Sequence, residues 1–320
     1  MPHIDTKSQP QYLELANYPG TSFDVPLGQY STMKCGGHAF CVYSPKNVDD
    51  LAAFRRINTL PETLLGGLSN VIIRSGGISG VVIRLKNVAQ CNVSERSVFW
   101  AGLRNVDACK MAASQGYSGM EFLIGIPGTI GGAVAMNAGT CGQEVADVLD
   151  WVEIMDDCGV VTRVDRRNLN MTYRSGGLPA DAMVIRACFR LMPSTQSEVS
   201  IKHTQLLLER AKGVRLPPNV GTAGSTFKNP DPGVSDGRKA WQLIDAAGCR
   251  GLCHGGAMVS NEHANFLINK GHATPEDLIL LGENVRRRVF DFCGVLLEWE
   301  VKIIGDEPSG ANAVLLRKKN

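Results

Sequence analysis

The chain has 320 residues, which predicts two or three domains with enough apolar material to form their cores. Hydrophobic residues make up 44% and charged residues 20% of the chain, the composition of an ordinary soluble globular protein. The formal net charge of +2 argues against binding of nucleic acid or membranes by general electrostatics. The sequence shows neither a signal peptide nor a run of the roughly 18 apolar residues that a membrane span requires.

Strand and helix signals alternate from Thr32 onwards. The first predicted helix, NVDDLAAFRRIN, places Leu51, Phe54 and Ile57 on one face. Further helices are predicted in NVDACKMAASQG, IKHTQLLLERAK, RKAWQLIDAAG and TPEDLILLGENVRRRVFDFCG. Strands are predicted in ETLLGG, NVIIRSGGISGVVIRL and VLLEWEVKII, a hairpin in WVEIMDDCGVVTRV and a loop in FLIGIPGTIGGAVAMNAG.

The polar stretches and the cysteines of the sequence give two further expectations. The polar stretch at residues 192–200 predicts a domain boundary, and both ends of the chain have the composition of frayed tails. The ten cysteines are scattered and include no C-x-x-C pair, so we expect buried reduced thiols and no metal site.

Two glycine-rich stretches suggest a ligand. LLGGLSNVIIR places Gly66 and Gly67 between two apolar β runs, and GIPGTIGGAVAMNAGTCG follows about sixty residues later. The second stretch lacks the Rossmann spacing, which excludes that dinucleotide site but leaves another pyrophosphate cradle open. Taken singly, each stretch is equally well explained as a tight turn, whereas the pair favours one ligand held from two sides.

Three other features carry weaker signals. Arg174 lies beside glycines in MTYRSGG, although a surface ion pair is the simpler explanation for a single arginine. Glu298 and Glu300 point to one face of the predicted last strand, where two solvated carboxylates would be ordinary.

The stretch GTAGSTFKNP, which begins at Gly221, does not follow the Walker phosphate-loop spacing. In an extended backbone, Ser225, Phe227 and Asn229 would share one face and Thr226 and Lys228 the other.

Six stretches in order resemble one family. LLGGLSNVII, GIPGTIGGAVAMNAG, TYRSG, AGSTFKNP, GGAMVSNEHANFLIN and LEWEVKIIG, spread over roughly residues 25–305, closely resemble the UDP-N-acetylenolpyruvoylglucosamine reductase family of peptidoglycan precursor synthesis. The resemblance implies an α+β fold in which two FAD-binding subdomains of the vanillyl-alcohol-oxidase type precede an α+β substrate-binding domain. The implied divisions are a tail at 1–22, FAD subdomains at 23–92 and 93–195, a substrate domain at 196–305 and a tail at 306–320.

The resemblance also implies the reaction and its setting. NADPH reduces FAD, and the reduced flavin passes hydride to the enolpyruvyl double bond of a UDP-sugar, which gives UDP-N-acetylmuramate. Arg174 and a protonated Glu300 would stabilise the enediolate, and Ser225 would deliver the proton to the α-carbon. The implied setting is a cytoplasmic enzyme of cell-wall biogenesis, and hence of cell shape, division and the cell cycle. The sequence leaves its oligomeric state open, with a monomer as the expectation.

The binding residues carried over from the family fall into two sets. Those expected to bind FAD are Gly66, Gly67, Leu68, Ser69, Asn70, Gly125, Ile126, Pro127, Gly128, Thr129, Gly131, Gly132, Ala133, Asn137, Ala138 and Gly139. Those expected to bind the substrate are Tyr173, Lys228, Asn229 and an upstream basic residue, either Lys212 or Arg215.

This chain departs from the family pattern at two positions. Leu68 replaces the third glycine of the first loop, which strains the backbone if its φ is positive, and Cys141 stands where an aromatic is expected. Both departures affect the affinity for FAD more than the chemistry. The short spacing between Arg174 and Ser225 matches the family's shorter second type. Two alternatives remain, a related FAD-dependent oxidase or dehydrogenase of another substrate and a nucleotide-binding protein without catalysis.

Overall fold

The chain forms two compact units, each of which mixes helices with strands. The computed structural model describes residues 15–88, 97–213 and 220–308. The first unit comprises Met1–Ser22, Val42–Gly67 and Val81–Lys212; the second comprises Phe23–Cys41, Leu68–Gly80 and Gly213–Asn320. The α+β class predicted from the sequence is confirmed. The predicted domains were defined by the ligand that each would bind, whereas these two units are defined by backbone contacts. The predicted domain boundaries therefore stay a prediction.

The helices begin and end largely where the sequence signals place them. In chain order they are α1 Val48–Ile57, α2 Asn105–Ser114, α3 Ile130–Ala135, α4 Val145–Val148, α5 Gln196–Gly213, α6 Pro232–Ser235, α7 Ala240–Ala246 and α8 Pro275–Cys293. Helix α8 shows why: the Thr274 hydroxyl accepts a hydrogen bond from Asp277 N–H, and Gly294 ends the helix with a φ of 73°. None of the described helices is both long and apolar enough to cross a membrane.

The first unit is built around an antiparallel sheet in the order β11-β10-β12-β6. These strands are β6 Val98–Trp100, β10 Leu149–Met155, β11 Val161–Asp165 and β12 Met183–Phe189. Helix α3 packs against β12. The β10–β11 pair confirms the predicted hairpin, with Gly159 at a φ of 77° in its turn. Two short pairs, β7 Tyr117–Ser118 with β13 Met192–Pro193 and β8 Gly139–Thr140 with β9 Gln143–Glu144, complete this part.

The second unit is built around an antiparallel sheet in the order β14-β17-β16-β15. These strands are β14 Gly221–Ser225, β15 Cys253–His254, β16 Ala257–Val259 and β17 Phe266–Asn269. Helices α7 and α8 bury apolar residues such as Leu243 and Leu281 in one core with Phe227 and Leu267. Two parallel strands, β4 Val71–Ile73 and β18 Lys302–Ile304, pair beside it.

A further sheet has the order β1-β2-β5-β3. Its strands are β1 Thr21–Pro26, β2 His38–Tyr43, β5 Ile78–Ile83 and β3 Glu62–Leu64, and β3 runs parallel to β5.

Three predictions about local structure are wrong. The stretch predicted as a loop contains a 3₁₀ turn, Glu121–Gly125, and helix α3. Ile57 is 58% exposed, although it was expected to share the buried face of α1 with Leu51 and Phe54. The predicted last strand shortens to β18, with an isolated bridge between Phe227 and Trp299 before it.

The cysteines of the described residues are free thiols, as expected, but they are not uniformly buried. Cys41, Cys109 and Cys249 are buried, and Cys141, Cys158 and Cys253 are exposed.

Arg55 ties helix α1 to the β10–β11 hairpin. The side chain is 9% exposed, and its Nη1 donates to the carbonyls of Met155 (3.1 Å) and Asp156 (2.6 Å), while Nη2 donates to Asp181 O (3.4 Å). Its Nε lies 2.8 Å from Glu62 Oε2 as an ion pair without the alignment of a hydrogen bond. Loss of the guanidinium would leave these carbonyls and the largely buried Glu62 Oε2 without a partner, although Glu62 Oε1 would keep its bond from Asn58 Nδ2 (3.0 Å).

We therefore expect Arg55→Met to lower the free energy of unfolding by about 3 kcal/mol, the typical cost of removing one member of a buried ion pair. Arg56→Met, at the exposed neighbouring position, is the matched control and should change it by less than about 0.5 kcal/mol. Urea unfolding followed by circular dichroism measures both values, and equal losses in the two variants would contradict the assignment.

Candidate active site

The two glycine loops predicted from the sequence contact each other through their backbones. A Cβ added to Gly67 would lie 2.8 Å from Gly128 Cα, and one added to Gly66 would lie 2.6 Å from Thr129 Oγ1. Real Cβ atoms do not approach other atoms so closely, so glycine is required on the first loop for the second loop to reach it. The prediction that the two loops grip one ligand thus gains a geometric basis.

The second loop is fixed by the segment that precedes helix α2. Ile130 N–H donates to Leu103 O (2.9 Å), and Asn105 N–H donates to Gly128 O (3.0 Å). The Asn105 side chain adds a bond from Nδ2 to Ile126 O (3.1 Å). Three hydrogen bonds over five residues hold the loop backbone in one conformation without help from long side chains.

This pair of loops has the character of a pyrophosphate cradle. The closest approach is made by backbone and by the Thr129 hydroxyl, which also accepts from Gly132 N–H (3.4 Å) at the start of helix α3. Glycine-rich backbone can present N–H groups to an anion at short range. The residues present therefore fit a cofactor that carries a pyrophosphate, such as FAD.

Leu68 has the strained backbone that its position in the loop suggested. Its φ is 50°, a left-handed conformation that costs a non-glycine residue roughly 1–2 kcal/mol. The side chain is 3% exposed, so its burial, which contributes about 1.5–3 kcal/mol, offsets that strain. Leu68 O also accepts from Thr32 N–H (3.2 Å).

Arg174 lies in a tight turn attached to the end of helix α3. Thr172 and Ser175 exchange two backbone hydrogen bonds of 3.0 and 2.9 Å, and Arg174 between them has a φ of 59°. The guanidinium carbon lies 4.8 Å from the centre of the Tyr173 ring, which is 44% exposed. Gly176 N–H donates to Ala135 O (2.9 Å). The turn that carries Arg174 therefore lies against the end of the second glycine loop within the first unit.

Ser225 ends strand β14 after a bulge. The register with β17 shifts between Thr222 and Ser225, where Gly224 has a φ of 77°. Thr226 and Phe227 are both buried (0% and 1% exposed), so the segment is covered at both positions. The predicted alternation of faces stays a prediction. None of the described residues is hydrogen-bonded to the Ser225 hydroxyl.

Glu300 is bonded to both the serine segment and the first loop. Its N–H donates to Thr226 O (2.8 Å), and its carbonyl accepts from Asn70 Nδ2 (3.0 Å). Glu298 differs, because its 74% exposed side chain pairs with Lys228 Nζ (3.2 Å). Of the two carboxylates on this segment, Glu300 is therefore the one held next to Ser225 by its backbone.

Asn265, to which the sequence alone assigns no role, holds the backbone of Phe227. It is 4% exposed, its Oδ1 accepts from Phe227 N–H (3.0 Å), and its Nδ2 donates to Phe227 O (2.8 Å). The neighbouring His263 ring packs against Phe266, the cross-strand partner of Ser225. Burial, with the positive charge of Arg250 nearby, lowers the pKa of His263. The second asparagine of SNEHANF, Asn265, could have indicated this role, because a polar residue just before an apolar strand requires hydrogen-bond partners.

The remaining substrate candidates are distributed unevenly. Asn229 Oδ1 accepts from Ala240 N–H (3.1 Å) at the start of α7, so it is at least a structural residue. The side chain of Lys212 and the whole of Arg215 lie outside the described residues. Arg174 belongs to the first unit, and Ser225, Glu300, Lys228 and Asn229 belong to the second. Each predicted binding role remains a prediction.

Two family models match the chain. One, described as an FAD binding domain, matches residues 39–165, which include both glycine loops. The other, described as the C-terminal domain of UDP-N-acetylenolpyruvoylglucosamine reductase, matches residues 216–304, which include Ser225 and Glu300. The predicted FAD cofactor is confirmed by the first match.

Relatives match along almost the whole chain. A UDP-N-acetylenolpyruvoylglucosamine reductase of Granulibacter bethesdensis is 43% identical over 88% of this chain and 90% of its own length. One of Acidiphilium cryptum is 44% identical over 90% and 93%. The crystal structure of the enzyme from Thermus caldophilus superposes with a TM-score of 0.75 at 31% identity, covering 90% of this chain and 98% of that one. The chain therefore belongs to the UDP-N-acetylenolpyruvoylglucosamine reductase family, and it is a flavin-dependent oxidoreductase.

Proposed function

We propose that the protein uses NADPH and FAD to reduce the enolpyruvyl group of UDP-N-acetylglucosamine enolpyruvate, giving UDP-N-acetylmuramate. The observation that carries this proposal is the hydrogen bond from Glu300 N–H to Thr226 O (2.8 Å), which places a carboxyl-bearing residue beside Ser225. A reductase of a conjugated carboxylate requires such a pairing of a proton donor with a charge-stabilising group. Through peptidoglycan precursor synthesis, the proposal extends to cell-wall biogenesis, cell shape and division.

The chain's own residues have four tasks. The glycine loops would hold FAD, which when bound would supply hydride transfer from NADPH to the β-carbon of the enolpyruvyl group. Negative charge then develops on the substrate carboxylate, and we assign its stabilisation to Arg174 and to Glu300 in its protonated form. Tyr173, Lys228 and Asn229 are assigned to the UDP-sugar. Fixed hydrogen-bond donors suit the stabilisation of the developing negative charge, because they need no reorganisation when that charge appears.

Ser225 is assigned the delivery of the proton to the α-carbon. A serine hydroxyl is a weak acid, yet a carbanion-like centre is basic enough to take its proton, and weak acidity prevents protonation before hydride arrives. The bulge at Gly224 supports this role, because it bends the strand just before Ser225, which pairs with Phe266, while Thr226 and Phe227 anchor the segment in the core.

The alternatives differ in what oxidises the reduced flavin. A related FAD-dependent oxidase or dehydrogenase would keep the glycine loops but would not be reoxidised by the UDP-enolpyruvyl sugar. A nucleotide-binding protein without catalysis would not be reduced by NADPH at all. The pairing of Ser225 with Glu300 favours the reductase, since neither alternative needs both residues.

Ser225→Ala should separate the two halves of the reaction. NADPH should still bleach the flavin at the wild-type rate, whereas reoxidation by the UDP-enolpyruvyl sugar should slow by about 10²–10⁴-fold, the usual contribution of a general acid. Stopped-flow absorbance of the flavin measures both rates, and Ser200→Ala, at an exposed position of α5, is the control. Reoxidation close to the wild-type rate in Ser225→Ala would remove Ser225 from the mechanism.

The two carboxylates of the last segment give a second, paired test. Glu300→Ala should slow reoxidation by roughly 10²-fold or more, since one fixed donor to the developing charge is lost. Glu300→Gln should fall between this variant and the wild type because an amide still donates a hydrogen bond. Glu298→Ala removes only the exposed ion pair with Lys228 and should react like the wild type. A loss confined to Glu298→Ala would reverse the assignment.

A further inference from the structure

The turn that carries Arg174 has no regular element of its own. The 3₁₀ turn before it ends at Asn168, and strand β12 begins only at Met183, so its position depends on contacts with other segments. The positive φ of Arg174 adds strain that those contacts must offset. The question is which residues hold this turn in place.

One contact is a close approach of backbone to backbone. Gly176 N–H donates to Ala135 O (2.9 Å), and a Cβ at Gly176 would lie 2.3 Å from Val134 O. Only a glycine can therefore bring this segment against the end of helix α3. This contact secures one side of the turn.

Asn137 secures the other side. It is 0% exposed, its Nδ2 donates to Thr172 O (3.0 Å), and its Oδ1 accepts from Ala146 N–H (2.9 Å) in the first turn of helix α4. Its own φ of 42° turns the chain so that the amide reaches both partners. Thr172 O is the same carbonyl that closes the Arg174 turn by accepting from Ser175 N–H.

We propose that Asn137 is a positioning residue that fixes the Arg174 turn to the C-terminal end of the second glycine loop. Both polar atoms of its side chain are bonded within the protein and the residue is fully buried, so the side chain acts through Arg174 and not by contact with a ligand. The FAD contact that the family resemblance implies for Asn137 is therefore assigned to its backbone, which Asn137→Asp leaves in place. The inference rests on the proposed function in one respect, the role of Arg174 toward the substrate. Through Asn137, the second glycine loop and the turn that carries Arg174 become parts of one hydrogen-bonded unit.

The sharpest test is Asn137→Asp, which keeps the shape and the acceptor for Ala146 N–H but removes the donor to Thr172 O. The ionised carboxylate would face the carbonyl of Thr172 and release the turn. When protonated, its O–H can donate to that carbonyl and restore the bond. The charged residues on the segments around this site are Arg166, whose Nε donates to Ala146 O (3.1 Å), Glu144 and Asp147 of the α4 cap, Arg190, whose Nη2 donates to Asp147 O, and Arg174 itself.

Three results are expected for Asn137→Asp. NADPH should reduce its flavin within about twofold of the wild-type rate, and its FAD content should be unchanged. Reoxidation by the UDP-enolpyruvyl sugar should slow at least tenfold at high pH and recover as the pH falls through the pKa of the introduced carboxyl. In the apoprotein, hydrogen–deuterium exchange of the peptide 170–178 should be faster than in the wild type at the same high pH.

Controls separate this proposal from the role of Arg174. Asn168→Asp, exposed on the same segment, adds the same charge and should match the wild type. Arg174→Lys tests the arginine itself: if its reoxidation is normal, the proposed role of Arg174 fails, while the exchange data still decide whether Asn137 holds the turn. If Arg174→Lys is slow but Asn137→Asp matches the wild type in reoxidation and exchange, the positioning role is overturned.

A general loss of structure would also overturn the proposal. In that case, both half-reactions and FAD content would fall together at every pH. Should Asn137→Asp fail to fold, Gly176→Ala decides, because it disrupts the other attachment of the same turn. We expect the same split from Gly176→Ala, with slow reoxidation and normal reduction. Normal reoxidation in that variant would contradict a fixed turn.

Discussion

The approach of Gly67 to Gly128, which leaves no space for a side chain between them, is the constraint on which the candidate site depends. It brings two loops about sixty residues apart into one backbone surface. The second loop continues into helix α3, whose end is bonded to the Arg174 turn through Ala135 and Asn137. A shift of the loop would therefore move the arginine as well.

A second series of bonds joins the residues that follow the first loop to Glu300 and the segment of Ser225. Asn70, three residues after Gly67, donates to Glu300 O, and Glu300 N–H donates to Thr226 O, next to Ser225. Within the second unit, the backbone of Glu300 is thus held on both sides, by the Asn70 side chain and by the carbonyl of Thr226, next to Ser225. Such fixed placement is what electrostatic stabilisation of a transition state requires.

Much of this could be predicted from the sequence where a local signal exists. Capping residues such as Thr274 and Gly294 define helix α8, and the glycine loops, Arg174, Ser225 and Glu300 stand in recognisable motifs. Helix α3 was missed because Gly131 and Gly132 have low helix propensity. The helix forms against the segment at Ala101, whose carbonyl accepts from Gly131 N–H (2.9 Å). This contact is 30 residues away in the chain, so it leaves no local signal in the sequence of the helix.

The rest depends on contacts between residues far apart in the chain. Asn137 reaches a carbonyl 35 residues away, and Asn265 reaches one 38 residues away, so neither role follows from local spacing. The strain at Leu68 was foreseeable, but the burial of its side chain, which offsets the strain, was not. The burial of Thr226 and Phe227 likewise depends on distant contacts, because the Thr226 hydroxyl accepts from Leu267 N–H and the Asn265 side chain bonds the backbone of Phe227.

The claim that the two glycine loops form one FAD cradle is tested most directly by the dissociation constant of FAD from Gly67→Ala. This constant is measured by the quenching of flavin fluorescence as FAD is titrated with the apoprotein. The added methyl group would lie 2.8 Å from Gly128 Cα, and overpacking of this kind costs about 1–3 kcal/mol. Separation of the two loops should therefore weaken FAD binding by about tenfold or more while the circular dichroism spectrum keeps its wild-type shape. An unchanged dissociation constant would contradict the account of the two loops as one FAD cradle.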